Sequence, residues 1–67
     1  LTRYKNVRVD HMGRRYRVAF DRVTERPMIV ARLLPSGVDG LALKLDGRNA
    51  KPVIAAARAA WEAEEPA

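Results

Sequence analysis

The stretch RVDHMGRRYRVAF, residues 8–20, holds four arginines, Arg8, Arg14, Arg15 and Arg17, with Gly13 at its bend. Before the bend, Val7 and Val9 alternate with Asn6, Arg8 and Asp10. After it, Tyr16, Val18 and Phe20 alternate with Arg15, Arg17, Ala19 and Asp21. A period of two marks half-buried strands, and a bend between two such runs makes a β-hairpin. Loop length then decides whether the two apolar sets share a face, because a slip of one residue turns a strand over. A three-residue loop would set Val7 and Val9 against Arg17 and Arg15 and spoil both faces. A two-residue loop at Met12-Gly13, or a four-residue loop over residues 11–14, sets Val9 against Tyr16 and Val7 against Val18. Met is a poor first residue for the two-residue turns, which want a left-handed backbone or Gly there. The four-residue loop is therefore expected, with Gly13 supplying the left-handed position.

Either even-length loop has the same consequence. Arg8 stands opposite Arg17 on the solvent face, and Asp10 opposite Arg15. Like charges facing each other across a ladder cost about 0.2–1 kcal/mol. That opposed pair, with Tyr4 and Asn6 on the same face, has the look of an anion-recognising surface. Tyr can stack or touch phosphate, Asn can address adenine, and Arg can fork onto guanine.

Working outward, VTERP (residues 23–27) reads as a turn, and Pro27 opens a third strand at about 28–34, where Ile29 and Val30 are β-branched. PSGVDG (35–40) is the clearest loop. LALKL (41–45) predicts a fourth strand with Leu41, Leu43 and Leu45 inward. Asp46-Gly47 turns the chain into a helix over about 50–64, with Asn49 as N-cap and Pro52 in the first turn, where its missing N–H is harmless. Val53, Ile54, Ala57 and Trp61 form the stripe expected to pack on the sheet, and Ala55, Ala56, Ala59 and Ala63 lie on the other side. Glu62, Glu64 and Glu65 crowd the C-terminal end, where the helix dipole disfavours anions, so residues 65–67 are expected to fray. The expected fold is α+β: an antiparallel sheet of three to four strands, with the hairpin at 3–22, packed by one C-terminal helix in a single domain over 1–64.

The chain has 67 residues and no cysteine. A chain this short buries only about 60% of its unfolded surface, and no disulfide can supplement its core. A homo-oligomer or a partner protein is therefore an expected companion. No apolar run approaches the roughly 20 residues of a membrane helix, and the lack of cysteine fits a cytoplasmic location. The net charge is +5, unevenly spread: residues 1–32 carry nine Lys/Arg against three acids, residues 33–67 four against five. Ten of the thirteen cations are Arg, whose planar fork of donors suits phosphate. Codon usage favouring Arg and Ala accounts for the content less awkwardly than for the asymmetry.

Nothing in the chain resembles a catalytic or cofactor motif. His11, the only histidine, falls at the hairpin tip as a solvated turn residue, and a zinc site needs about four ligands. Ser36 has a turn role. Asp10, Asp21, Asp39 and Asp46 fall at element ends, where carboxylates cap turns. The expectation is a non-enzymatic protein with no cofactor and no metal.

The motifs YKNVRV (4–9), RRYRVAF (14–20) and AAARAAWEA (55–63) resemble the sheet-plus-helix DNA-binding domains of plant ethylene-response factors and the related arm-site-binding domains of phage integrases. That resemblance implies a sheet laid in the major groove, with Arg8, Arg15 and Arg17 contacting bases and phosphates and Tyr4 beside them. The middle segment, residues 23–40, is longer than the tight hairpin of those domains, and LALKLDG replaces their aromatic-Leu-Gly stretch before the helix. The expected function is a nucleic-acid-binding module, DNA rather than RNA, gripping through Arg3, Tyr4, Asn6, Arg8, Arg14, Arg15 and Arg17. The alternative is a protein-interaction module or small homodimer whose basic face only aids solubility.

Overall fold

A computed structural model of the chain describes residues 3–64; the expected fraying of residues 65–67 lies outside them. Among these residues four strands and one helix follow in the order β1 (Tyr4–His11), β2 (Arg14–Asp21), β3 (Pro27–Leu33), β4 (Asp39–Ala42) and α1 (Ala50–Glu64). The strands form one antiparallel sheet in sequential order. The α+β class, the hairpin and the helix are those anticipated.

The register of the hairpin is Val7↔Val18, Arg8↔Arg17, Val9↔Tyr16 and Asp10↔Arg15, continuing to His11↔Arg14. The two apolar sets do share a face. The loop, however, has two residues rather than the expected four. Met12 and Gly13 both have positive φ, 52° and 75°, the signature of a type I′ turn. The ladder runs on to its last pair, and the right-handed twist it keeps outweighs the roughly 1–2 kcal/mol that a left-handed Met costs. Met12 is 85% exposed, so its side chain meets no obstacle there.

The core is built from Val7, Tyr16, Val18, Phe20 and Val30 on the sheet and Ala50, Val53 and Ala57 on the helix, with Val9, Leu43, Ile54, Ala60 and Trp61 packed around it. Phe20 is its centre. The Trp61 ring lies 5.2 Å from the Phe20 ring, centroid to centroid, tilted by 31°. The Arg58 guanidinium carbon sits 5.0 Å from the same centroid, and its Nη1 donates to the Glu25 carbonyl at 2.9 Å. Arg58 thus ties α1 to the β2–β3 connection. That connection is organised by Asp21, whose carboxylate accepts from the Val23 and Thr24 N–H groups at 2.7 and 3.0 Å. Glu25 closes the turn with φ 62°.

Two expectations are corrected at the C-terminal half. The fourth strand starts and ends earlier than 41–45, and of its expected inward leucines only one is partly buried as anticipated. Leu33 pairs with Asp39 and Ala31 with Ala42, so two steps on β3 match three on β4. This extra residue is a bulge, and it turns the following side chains over. Leu41 is 73% exposed and Leu45 also exposed; of the three leucines only Leu43 packs on the core. Gly40 sits inside the bulge, where an added Cβ would lie 3.1 Å from the Arg32 carbonyl oxygen. Asn49 directly precedes α1, as expected of an N-cap, but its side chain does not close the first turn. The Gly47 carbonyl accepts from the Ala50 and Lys51 N–H groups at 3.1 and 3.3 Å, closing the first turn with backbone alone.

Helix α1 packs on β1, β2 and β3, most extensively on β1. Every residue of β4 is exposed.

Candidate nucleic-acid interface

On the face away from the helix, the hairpin presents Asn6, Arg8 and Asp10 from β1 and Arg15 and Arg17 from β2. Proximity alone does not make these cations equivalent, because several are already committed to acids.

Arg17 is the most committed. Its Nε donates to Asp39 Oδ1 at 2.9 Å, a second guanidinium nitrogen donates to the other carboxylate oxygen, and the third donates to Asn6 Oδ1 at 2.6 Å. Arg17 lies on β2 and Asp39 on β4, with β3 between them. Two inter-strand spacings are roughly 9–10 Å, so the side chain must pass over β3. It does so above Ala31, which pairs with Arg17 and is 2% exposed. A methyl group is small enough to lie beneath such a strap. Only 19% of the Arg17 side chain is accessible. Its hydrogen bond to Asp39 holds that carboxyl below the usual carboxylate range, the charges of Arg17 and Arg8 adding to the effect, and the guanidinium is correspondingly harder to deprotonate.

Arg3 donates to Asp21 Oδ2 at 2.7 Å, and Arg15 donates to Asp10 Oδ1 at 3.3 Å, the cross-strand pair anticipated from register. The Asp21 carboxyl is held low, first by the Thr24 N–H, then by the Val23 N–H and Arg3, against the burial that would raise it. Asn6 accepts from Arg17, so its carbonyl oxygen is engaged. Tyr4 is half-exposed at the start of β1, opposite Asp21. Lys5 pairs with Glu64 of α1 at 3.4 Å.

Arg8 and Arg14 differ from these. Both are exposed, and neither has a described acid within ion-pair distance. Arg8 flanks the Arg17 strap on the open face, and Arg14 stands at the hairpin end opposite His11. The structure therefore brings together Arg8, Arg15, Arg17 and Asn6 on one face. Arg3 and Tyr4 lie at the far end of the hairpin and Arg14 at its tip, on the parity of the helix side.

Arg32 was not singled out by the sequence. It pairs with Tyr16 on the helix-side parity, yet it is exposed. Its environment depends on the β2–β3 register, which no local pattern reveals. A single Arg between Ala31 and Leu33 in an otherwise uncharged strand was the available signal.

Among the described residues no group of three or more His, Asp or Glu is close enough to hold a metal ion, and no helix is long and apolar enough to cross a membrane. The chain matches no protein-family model, no curated protein and no solved structure.

Proposed function

We propose that this domain is a non-enzymatic nucleic-acid-binding module that grips the phosphate backbone with the exposed cations of its N-terminal hairpin. Arg8 and Arg14 are the primary contacts, Arg15 contributes by exchanging Asp10 for phosphate, and Arg17 braces the face rather than reaching out. Arg3, Tyr4 and Asn6 extend the surface along β1. The observation that carries this reading is the unequal commitment of the arginines: Arg8 and Arg14 stand exposed with no described acid in ion-pair range, while Arg3, Arg15 and Arg17 are paired. A grip needs cations whose counter-charge is still to come.

DNA is favoured over RNA on shape. The B-form major groove, about 12 Å wide, admits protein strands, here the edge strand β1 and its neighbour β2, whereas the A-form major groove is deep and narrow. Fluorescence anisotropy of a labelled mixed-sequence duplex, titrated from low to moderate salt, tests the proposal. Affinity should fall with a log–log slope near −0.9 for each phosphate contacted, and Arg8→Ala should make that slope shallower without altering the circular dichroism spectrum. Absence of any association with DNA or RNA at low salt rejects the reading.

A second reading has its own observation. Strand β4 is exposed along its whole length and carries Leu41 outward, with Val38 exposed just before it. An open edge of this kind favours pairing with a second copy. Sedimentation with and without oligonucleotide separates the two: a dimer indifferent to oligonucleotide favours the second.

A further inference from the structure

We infer that the hairpin-tip end of the sheet holds a separate phosphate subsite formed by Arg14 and Arg32, with Arg15 at its rim. The inference rests on the nucleic-acid reading and extends it to a strand outside the hairpin. The ligand is a backbone phosphate of the bound strand, taken between two guanidinium forks.

Three observations converge on it. Tyr16 pairs with Arg32, and Arg14 is two residues before Tyr16, so Arg14 and Arg32 are diagonal neighbours on one face of adjacent strands. Such neighbours have Cα atoms roughly 7–8 Å apart, within reach of long side chains converging on one small anion. Both are exposed, and neither has a described acid within ion-pair distance, unlike Arg15 and Arg17 beside them. Between them lies a cleft of about 430 Å³, lined by Arg14, Arg15 and Arg32 and walled by Leu34 and Pro35.

Two uncompensated like charges held as neighbours weaken the fold on their own, and a bound anion reverses that sign. The planar fork of each Arg offers paired donors matched to phosphate oxygens, so two forks can saturate one phosphate. Arg15 belongs to both surfaces by position, because it neighbours Arg14 in sequence and faces outward beside Arg8. A strand lying on the outer face could thus turn around the sheet end and meet the subsite with its next phosphates.

The test uses the whole chain and the variants Arg32→Ala, Arg32→Lys and Arg8→Ala. Anisotropy with a labelled oligonucleotide should show about fivefold to tenfold weaker binding for Arg32→Ala, independent of sequence, and a salt slope reduced by about one contact. Arg32→Lys should recover only part of that loss, since it restores charge without the fork. In a parallel NMR titration with inorganic phosphate, the side-chain N–H signals of Arg14 and Arg32 should shift together, ahead of Arg17. If Arg8→Ala weakens oligonucleotide binding while Arg32→Ala changes neither affinity nor slope, the subsite is wrong and the outer-face reading stands. If no oligonucleotide binds yet phosphate shifts Arg14 and Arg32 selectively, the subsite stands and the nucleic-acid reading falls. Silence of both arginines toward phosphate and oligonucleotide overturns the subsite.

Discussion

Met12 holds a left-handed backbone, φ 52°, at a position where Gly or Asn would hold it without strain. Met12→Asn should therefore stabilise the domain by about 0.5–1 kcal/mol, since Asn tolerates the conformation that a larger side chain resists. A higher urea midpoint with an unchanged slope is the expected readout; a lower midpoint would mean that the turn does not have this geometry. Ala31 raises the opposite issue. It is buried, paired with Arg17 on the line of the Arg17–Asp39 strap, where a larger side chain would compete with the strap for space. Ala31→Leu should cost about 1–3 kcal/mol through overpacking and should release Arg17 to solvent. Retained stability in that variant would argue that the strap does not cross β3. Neither residue announces itself in the sequence. Met at a turn looks like a reason for a longer loop, and an Ala in a strand looks unremarkable.

At the scale of elements, β4 carries the sharpest contrast between pattern and packing. Strict alternation in residues 41–45 makes all three leucines look equivalent, yet only Leu43 touches the core. Leu41→Ala should change stability by no more than about 0.5 kcal/mol, as at an ordinary exposed site. Leu43→Ala should cost about 2 kcal/mol, the low end for a core truncation because Leu43 is only partly buried. Thermal melts of the pair decide the phase of the strand: equal losses would restore the unbulged register. The clue was Gly40, since an isolated Gly in or beside a strand often marks a bulge. Helix α1 was more legible. Its apolar stripe and its first-turn Pro52 set both the element and its buried face, because a helix obeys a local period. What local period could not supply was the closure of its N-terminus by the Gly47 carbonyl in place of the Asn49 side chain.

For the whole molecule, the two carboxylates that organise the connections should set the acid limit of stability. Asp21 and Asp39 both have folded pKa values below their unfolded ones. Their contribution is thus fully present above the unfolded value, near 3.9, and is lost as pH falls through the lower folded values. Urea midpoints should be flat from neutrality to about pH 5 and then decline. In the double variant Asp21→Asn, Asp39→Asn that decline should flatten, and the gap from wild type should be widest near neutrality and close toward about pH 2–3. A gap that stays constant with pH would show that the ionised carboxylates contribute nothing. The same two acids explain why the count of arginines overstates the uncommitted cations: Asp39 and Asp21 each pair with an arginine that composition counts as available.

The sequence by itself determined the hairpin's parity, the identity of its apolar face, the helix with its buried stripe and the surplus of cations in the first half. These follow from local periods and from the even length of one loop, so neighbouring residues suffice to decide them. Tertiary structure alone decided which arginines remain uncommitted. Arg17 meets Asp39 across 22 residues of chain, and Arg14 stands diagonal to Arg32 only because β2 pairs with β3 in the register Tyr16↔Arg32. Such meetings depend on where whole strands come to rest against one another, and a bulge of one residue is enough to reassign every partner.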